Sequence, residues 1–96
     1  MNAVKPRSGG QALVQALAGH GANMVFCVPG ESFLAALDAL YDVRQTVQTI
    51  VCRQEGGAAF MAEAYGKLTG RPGICFVTRG PGATNASIAV HTAKQD

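Results

Sequence analysis

The chain has 96 residues, short of the usual domain size of about 100–150, so it holds one small domain or part of a larger one and excludes a multidomain enzyme. Hydrophobic residues make up 48% and charged residues 15%, with a mean hydropathy of +0.14, which is too apolar for a disordered tail and suits a packed interior that also needs a covering partner surface. Eight Lys and Arg against six Asp and Glu leave a net charge of +2 with no run of either sign, which argues against nucleic acid, while the lack of a long apolar stretch or leader argues against membrane contact and for a cytoplasmic protein.

In chain order, Ser8 with Gln11 three residues on predicts a capped helix, with Leu13, Val14 and Leu17 on one face and Gly19 and Gly21 at its end. Met24 to Val28 is a continuous apolar run stopped by Pro29-Gly30, the pattern of a strand buried on both faces. Ser32 opens a second helix whose stripe is Phe33, Leu34, Leu37, Leu40 and Tyr41, ending near Tyr41 or Asp42. Val47 to Cys52 predicts a second strand, and Gly57 to Leu68 an Ala-rich helix closed by Thr69-Gly70 with Pro72 beyond. Ile74 to Val77 predicts a third strand; Gly80-Pro81-Gly82 turns, and Ala83 to about Ala93 resumes as helix with Ile88 and Val90 as its large apolar residues. Three strand-to-helix steps with short connections predict an α/β fold with an open parallel sheet and flanking helices, about three strands and four helices. The third strand has no outer neighbour and the last helix runs to Asp96, so residues 1–96 are expected to be a partial domain.

Ligands of open parallel sheets sit beyond the carboxyl ends of the strands. Here those ends are Pro29-Gly30-Glu31, Arg53-Gln54-Glu55-Gly56-Gly57 and Arg79-Gly80-Pro81-Gly82, which hold five of the twelve glycines and admit close backbone approach. Glu55, between a strand and a Gly-Gly pair, reads either as an acid complementing a helix dipole or as a carboxylate that exchanges a proton with a ligand. Glu31 has the same two readings, and the first suits it better. Cys27, Cys52 and Cys75 are odd in number and each sits in an apolar run, so buried structural thiols are expected. His20 and His91 lack ligand-spaced partners and no metal site is expected. A Gly-x-Gly-x-x-Gly fingerprint, a phosphate loop and a nucleophile elbow are all absent from the sequence.

Val25-Phe26-Cys27-Val28-Pro29-Gly30-Glu31, then Arg53-Gln54-Glu55-Gly56-Gly57-Ala58-Ala59-Phe60-Met61-Ala62-Glu63-Ala64-Tyr65, then Thr78-Arg79-Gly80-Pro81-Gly82-Ala83-Thr84-Asn85 closely resemble the N-terminal pyrimidine-binding domain of thiamine diphosphate enzymes of the acetolactate synthase and pyruvate oxidase group. The likeness runs in register over about residues 8 to 96. It implies that Glu55 is the catalytic glutamate that hydrogen-bonds the cofactor aminopyrimidine. A carboxylate sharing a proton with that ring favours its imino tautomer, the form able to take the thiazolium proton. It further implies that Pro29, Gly30, Pro81, Gly82 and Asn85 line the pyrimidine.

The resemblance also implies a 2-oxo acid substrate, a homo-oligomer (dimer or tetramer) with its active site between subunits, and flavin (FAD) in some relatives. Family members bind the diphosphate and its magnesium through a Gly-Asp-Gly motif and a later Asn in a separate C-terminal domain, and that motif is not in this sequence. Acetolactate synthases proper tend to carry a second glycine where Glu31 stands, which leaves the substrate pair open. The expectation is therefore the cofactor-activating portion of an enzyme that decarboxylates or ligates 2-oxo acids, itself inactive alone. The rival readings are a non-catalytic remnant or dimerisation module, and a generic mononucleotide-binding domain.

Overall fold

In the computed structural model, which describes residues 6–95, helices and strands alternate along the chain. Helix α1 spans Gly9–Gly19, strand β1 Met24–Cys27, helix α2 Leu34–Asp42 after a 3-10 turn at Glu31–Phe33, strand β2 Gln48–Val51, helix α3 Glu55–Thr69, strand β3 Ile74–Phe76 and helix α4 Arg79–Gln95. The expected capping box forms: Ser8 Oγ accepts from the Gln11 N–H at 3.1 Å, and Gln11 Oε1 accepts from the Ser8 N–H at 2.8 Å. Helix α1 ends at Gly19, with Gly21 at φ +90. Helix α3 ends on Gly70, whose left-handed φ of +71 lets its N–H reach the Gly66 carbonyl.

The sheet is parallel throughout, in the order β2-β1-β3, with Phe26 opposite Ile50 on one side and Cys75 on the other. It is the expected open α/β sheet. Because side chains alternate along a strand, β1 feeds two cores. Val25 packs with Val14, Ala39, Leu40 and Val47 beneath α1 and α2, where Ile74 and Phe76 join them. Phe26 turns the other way onto Ala58 and Ala62 of α3, and Ala59, Ala86 and Ala89 join α3 to α4 above Cys75 and Val77.

Several apolar stripes face differently from expectation. Of the first-helix trio, Val14 is buried, Leu17 half-buried and Leu13 exposed. Helix α2 packs through Ala36, Ala39 and Leu40, while Leu34 and Tyr41 lie outside. In α4, Ala86 and Ala89 are buried, whereas Ile88 and Val90 are 57% and 67% exposed. The physical reason is distance: helices that lie close to a neighbour accept alanine on the inner face and push longer side chains outward. Cys27 is buried, but Cys52 and Cys75 are half-buried, so only one thiol is as enclosed as expected. Burial first, then the neighbouring Cys52, pushes the Cys27 thiol up; for Cys75 the same causes act, followed by Cys27 and Glu55. No helix among the described residues is long and apolar enough to cross a membrane.

Candidate functional site

The carboxyl ends of the three strands share one edge, and side-chain contacts tie the loops leaving them together. Gly30 follows β1 and lies against Thr78: a Cβ on it would come 2.5 Å from the Thr78 Cβ. Ser32 Oγ and Thr78 Oγ1 share a hydrogen bond at 2.6 Å. Ser32 thus bridges to the third loop instead of capping the second helix, whose start has no side-chain cap. Thr78 also accepts, through its carbonyl, the N–H of Gly82 at 3.0 Å, so one residue joins the first loop to the opening turn of α4.

Helices α3 and α4 both begin earlier than the sequence predicts. Helix α3 starts at Glu55 because Gln54 caps it: its Oε1 accepts from the N–H groups of Gly56 at 2.5 Å and Gly57 at 3.3 Å. Helix α4 takes in Gly80-Pro81-Gly82 as its first turn, where a missing proline N–H leaves no helical bond unmade. The chain enters that turn through Arg79 at φ +55, a left-handed conformation that strains a non-glycine residue by about 1–3 kcal/mol.

These starts bring Glu55, Gly82 and Asn85 together. The half-buried Glu55 carboxylate accepts, on Oε1, a hydrogen bond from Asn85 Nδ2 at 3.1 Å. Gly82 is buried beside it, and a Cβ there would press on Val77 Cβ at 3.2 Å and lie at ordinary contact distance, 3.8 Å, from Glu55 Oε2. Gly30 joins this group through Thr78. Pro29 and Pro81 are exposed, as are Arg53, Gln54, Gly57 and Asn85, which makes the site an open edge. The larger clefts lie elsewhere: about 480 Å³ near Met24, Tyr65, Arg71 and Ile74 at the opposite strand ends, about 360 Å³ beside Leu37, Tyr41 and Thr49, and about 300 Å³ between α3 and α4 beside Ala59, Glu63 and Cys75. Glu55 lines none of them.

A half-buried carboxylate at a helix start suits an aminopyrimidine, whose ring nitrogen can share a proton with a carboxylate. Among the described residues no three His, Cys, Asp or Glu side chains gather to hold a metal.

Residues 7–96 match the family model described as thiamine pyrophosphate enzyme, N-terminal TPP binding domain. The chain belongs to this family. It is 46% identical over 78 residues to the acetolactate synthase isozyme 2 large subunit of Escherichia coli, covering 81% of this chain and 14% of that protein. To the acetolactate synthase of Bacillus subtilis it is 43% identical over 88 residues, 92% of this chain and 15% of the relative. A probable 2-ketoarginine decarboxylase of Pseudomonas aeruginosa is 40% identical over 96 residues, 100% of this chain and 17% of the relative. The chain thus spans 14 to 17% of the length of these relatives.

Sequence reasoning missed Gln54 and Thr78 in this thiamine pyrophosphate enzyme domain. Gln54 stands before Glu55 and two glycines, but Gln is a weak capping type, so its place in the sequence did not mark it as a cap. Nothing local pointed to Thr78, whose partner Ser32 is 46 residues away.

Proposed function

We propose that this chain is the cofactor-activating N-terminal portion of an acetolactate synthase-like enzyme acting on 2-oxo acids, with Glu55 as the carboxylate that shares a proton with the aminopyrimidine of thiamine diphosphate. The observation that carries this reading is the placement of Glu55 at the start of α3, on the carboxyl edge of the sheet, with Oε1 held by Asn85 and Oε2 beside the bare Cα of Gly82. When bound, thiamine diphosphate supplies the electron sink for loss of carbon dioxide from a 2-oxo acid. The ring would lie along the edge formed by Pro29, Gly30, Pro81 and Gly82, and Glu55 holds the proton at the ring nitrogen. The substrate class is supported by the 2-ketoarginine decarboxylase and acetolactate synthase names of the relatives. The open edge favours completion of the site by a second surface, that of another subunit in a homo-oligomer, which would also bring the magnesium and diphosphate ligands.

Replacing Glu55 by Gln removes the carboxylate and keeps the shape. In the intact polypeptide as its source makes it, Glu55→Gln lowers carbon dioxide release from pyruvate with thiamine diphosphate and magnesium by about 10²–10⁴-fold, the usual share of a positioned acid or base. Unchanged release would remove Glu55 from the mechanism.

A further inference from the structure

A carboxylate on the first residue of a helix has competing donors within reach, because the first-turn backbone N–H groups have no partner inside the helix. A glutamate folded back onto them would be drawn away from a ligand. In this chain those donors are occupied: the Gln54 oxygen takes the N–H groups of Gly56 and Gly57. Gln is not among the favoured capping types, which are Ser, Thr, Asp and Asn. Its longer side chain fits here because residue 56 is glycine, where a Cβ would lie 2.7 Å from that same oxygen.

The Glu55 carboxylate is instead held from the neighbouring helix, by the Asn85 amide 30 residues on. An ionised carboxylate only accepts, so the contact must come from the amide NH₂. The two helices are already packed through Ala59, Ala86 and Ala89, so the Asn85 bond is not needed to hold them together; what it fixes is the carboxylate plane. With Oε1 engaged, Oε2 is the oxygen beside the bare Cα of Gly82.

We propose that Gln54 and Asn85 are a pair of positioning residues for Glu55: Gln54 keeps the carboxylate off its own helix start, and Asn85 turns it so that Oε2 is presented at the open edge. The inference rests on the reading of Glu55 given above. It gives Asn85 a task carried out through Glu55, distinct from lining the cofactor.

The test measures deuterium exchange of the thiazolium C2 proton in bound thiamine diphosphate, with the cofactor Kd from calorimetry, in the intact polypeptide. Asn85→Asp keeps the side-chain shape but sets one carboxylate against another, and Asn85→Ala removes the donor without a like charge. We expect Asn85→Asp to slow exchange by about 10–100-fold, the scale of a misplaced catalytic group, with Kd changed less than about threefold. Asn85→Ala and Gln54→Ala shift exchange in the same direction. Added to Glu55→Gln, each changes exchange by less than about twofold, because nothing remains to position.

Parental exchange in both Asn85 variants, beside slow exchange in Glu55→Gln, would overturn the positioning role and leave the Glu55 reading standing. A cofactor Kd weakened tenfold by Asn85→Ala, equally with Glu or Gln at 55, would place Asn85 on the cofactor itself and overturn it too. Failure of the parent to bind thiamine diphosphate, or parental exchange in Glu55→Gln, would overturn both. Should Asn85→Asp not fold, Asn85→Ala decides between the two roles, since a merely structural bond would lower its melting temperature while leaving exchange in the folded protein unchanged.

Discussion

The two faces of the sheet are built from different materials. Beneath α1 and α2 the core is mostly large side chains, Val14, Val25, Leu40 and Val47 around Ala39, with Ile74 and Phe76 beside them. On the other face, Phe26 is the large fully buried residue and the rest of the buried set is Ala58, Ala59, Ala62, Ala86 and Ala89, with Met24, Val28, Ile50 and Tyr65 packed half-buried beside them. Large side chains bury more apolar surface and so carry more of the stability, at about 25 cal/mol per Å². Small ones let backbones close in, and on that face the two helices come near enough for a glutamate on one to meet an asparagine on the other. The first face holds the domain up; the second sets the geometry of its edge.

Leu40→Ala tests this division most severely. Leu40 is among the most fully buried side chains, and truncating it should cost about 2–5 kcal/mol, the range for leucine in a packed core. Chemical denaturation measures it. At conditions where the variant remains folded, thiazolium exchange in bound thiamine diphosphate should stay within about twofold of the parent, because the lost contacts lie across the sheet from Glu55. A large fall in exchange would show that the two faces are coupled and the division is wrong.

Gly73→Ala probes the small-residue face. A methyl there would overlap the backbone carbonyl of Ala62, and backbone cannot swing aside like a side-chain tip. Overpacking of this kind costs about 1–3 kcal/mol. Here the comparison predicts both losses together, since pushing α3 off β3 moves the helix that carries Glu55. A destabilised Gly73→Ala protein with parental exchange would mean that the Glu55 geometry does not depend on how α3 meets the sheet.

The thiols offer a smaller, pH-dependent check. Cys27 and Cys75 both have raised pKa values, burial being the main cause. Unfolding frees these thiols to ionise at their ordinary value, so the folded state binds more protons at high pH and loses stability as pH rises. Stability should be flat below about pH 8 and fall through pH 9–10, the range where free thiols ionise. Cys27→Ala and Cys75→Ala should flatten that fall, measured by urea midpoints across the range.

What was legible in the sequence follows the same contrast. Strands and helix ends were readable because continuous apolar runs and Gly70, Gly19 and Gly21 are local signals. The inward faces were not: the sequence rule puts Leu34, Ile88 and Val90 inside, but these helices approach through alanine, and closeness of approach is a tertiary property. The site was half legible. Glu55 stands out by its strand-glutamate-Gly-Gly setting and by resemblance, whereas local signals start α3 two residues late because Gln is a weak capping type. They start α4 late as well, because Gly-Pro-Gly reads as a turn. Thr78 was invisible, since its contacts are with Gly30 and Ser32, brought near only by folding.

The two caps give the finest test. Ser8 and Gln54 do the same local job in a first helical turn, Ser8 accepting from one N–H group and Gln54 from two, and removal of either should cost about 0.5–2 kcal/mol. Their consequences should differ because of what stands beside them. Ser8→Ala frees the Gln11 N–H at the start of α1, where no acid lies in the first turn, and it should lower the melting temperature and do nothing else. Gln54→Ala frees the same kind of donors next to Glu55, which can then turn back onto its own helix and recover part of the lost capping. Gln54→Ala should therefore cost less stability than Ser8→Ala while slowing thiazolium exchange. Equal stability losses with unchanged exchange would make Gln54 an ordinary cap, and the edge would then be organised from α4 alone.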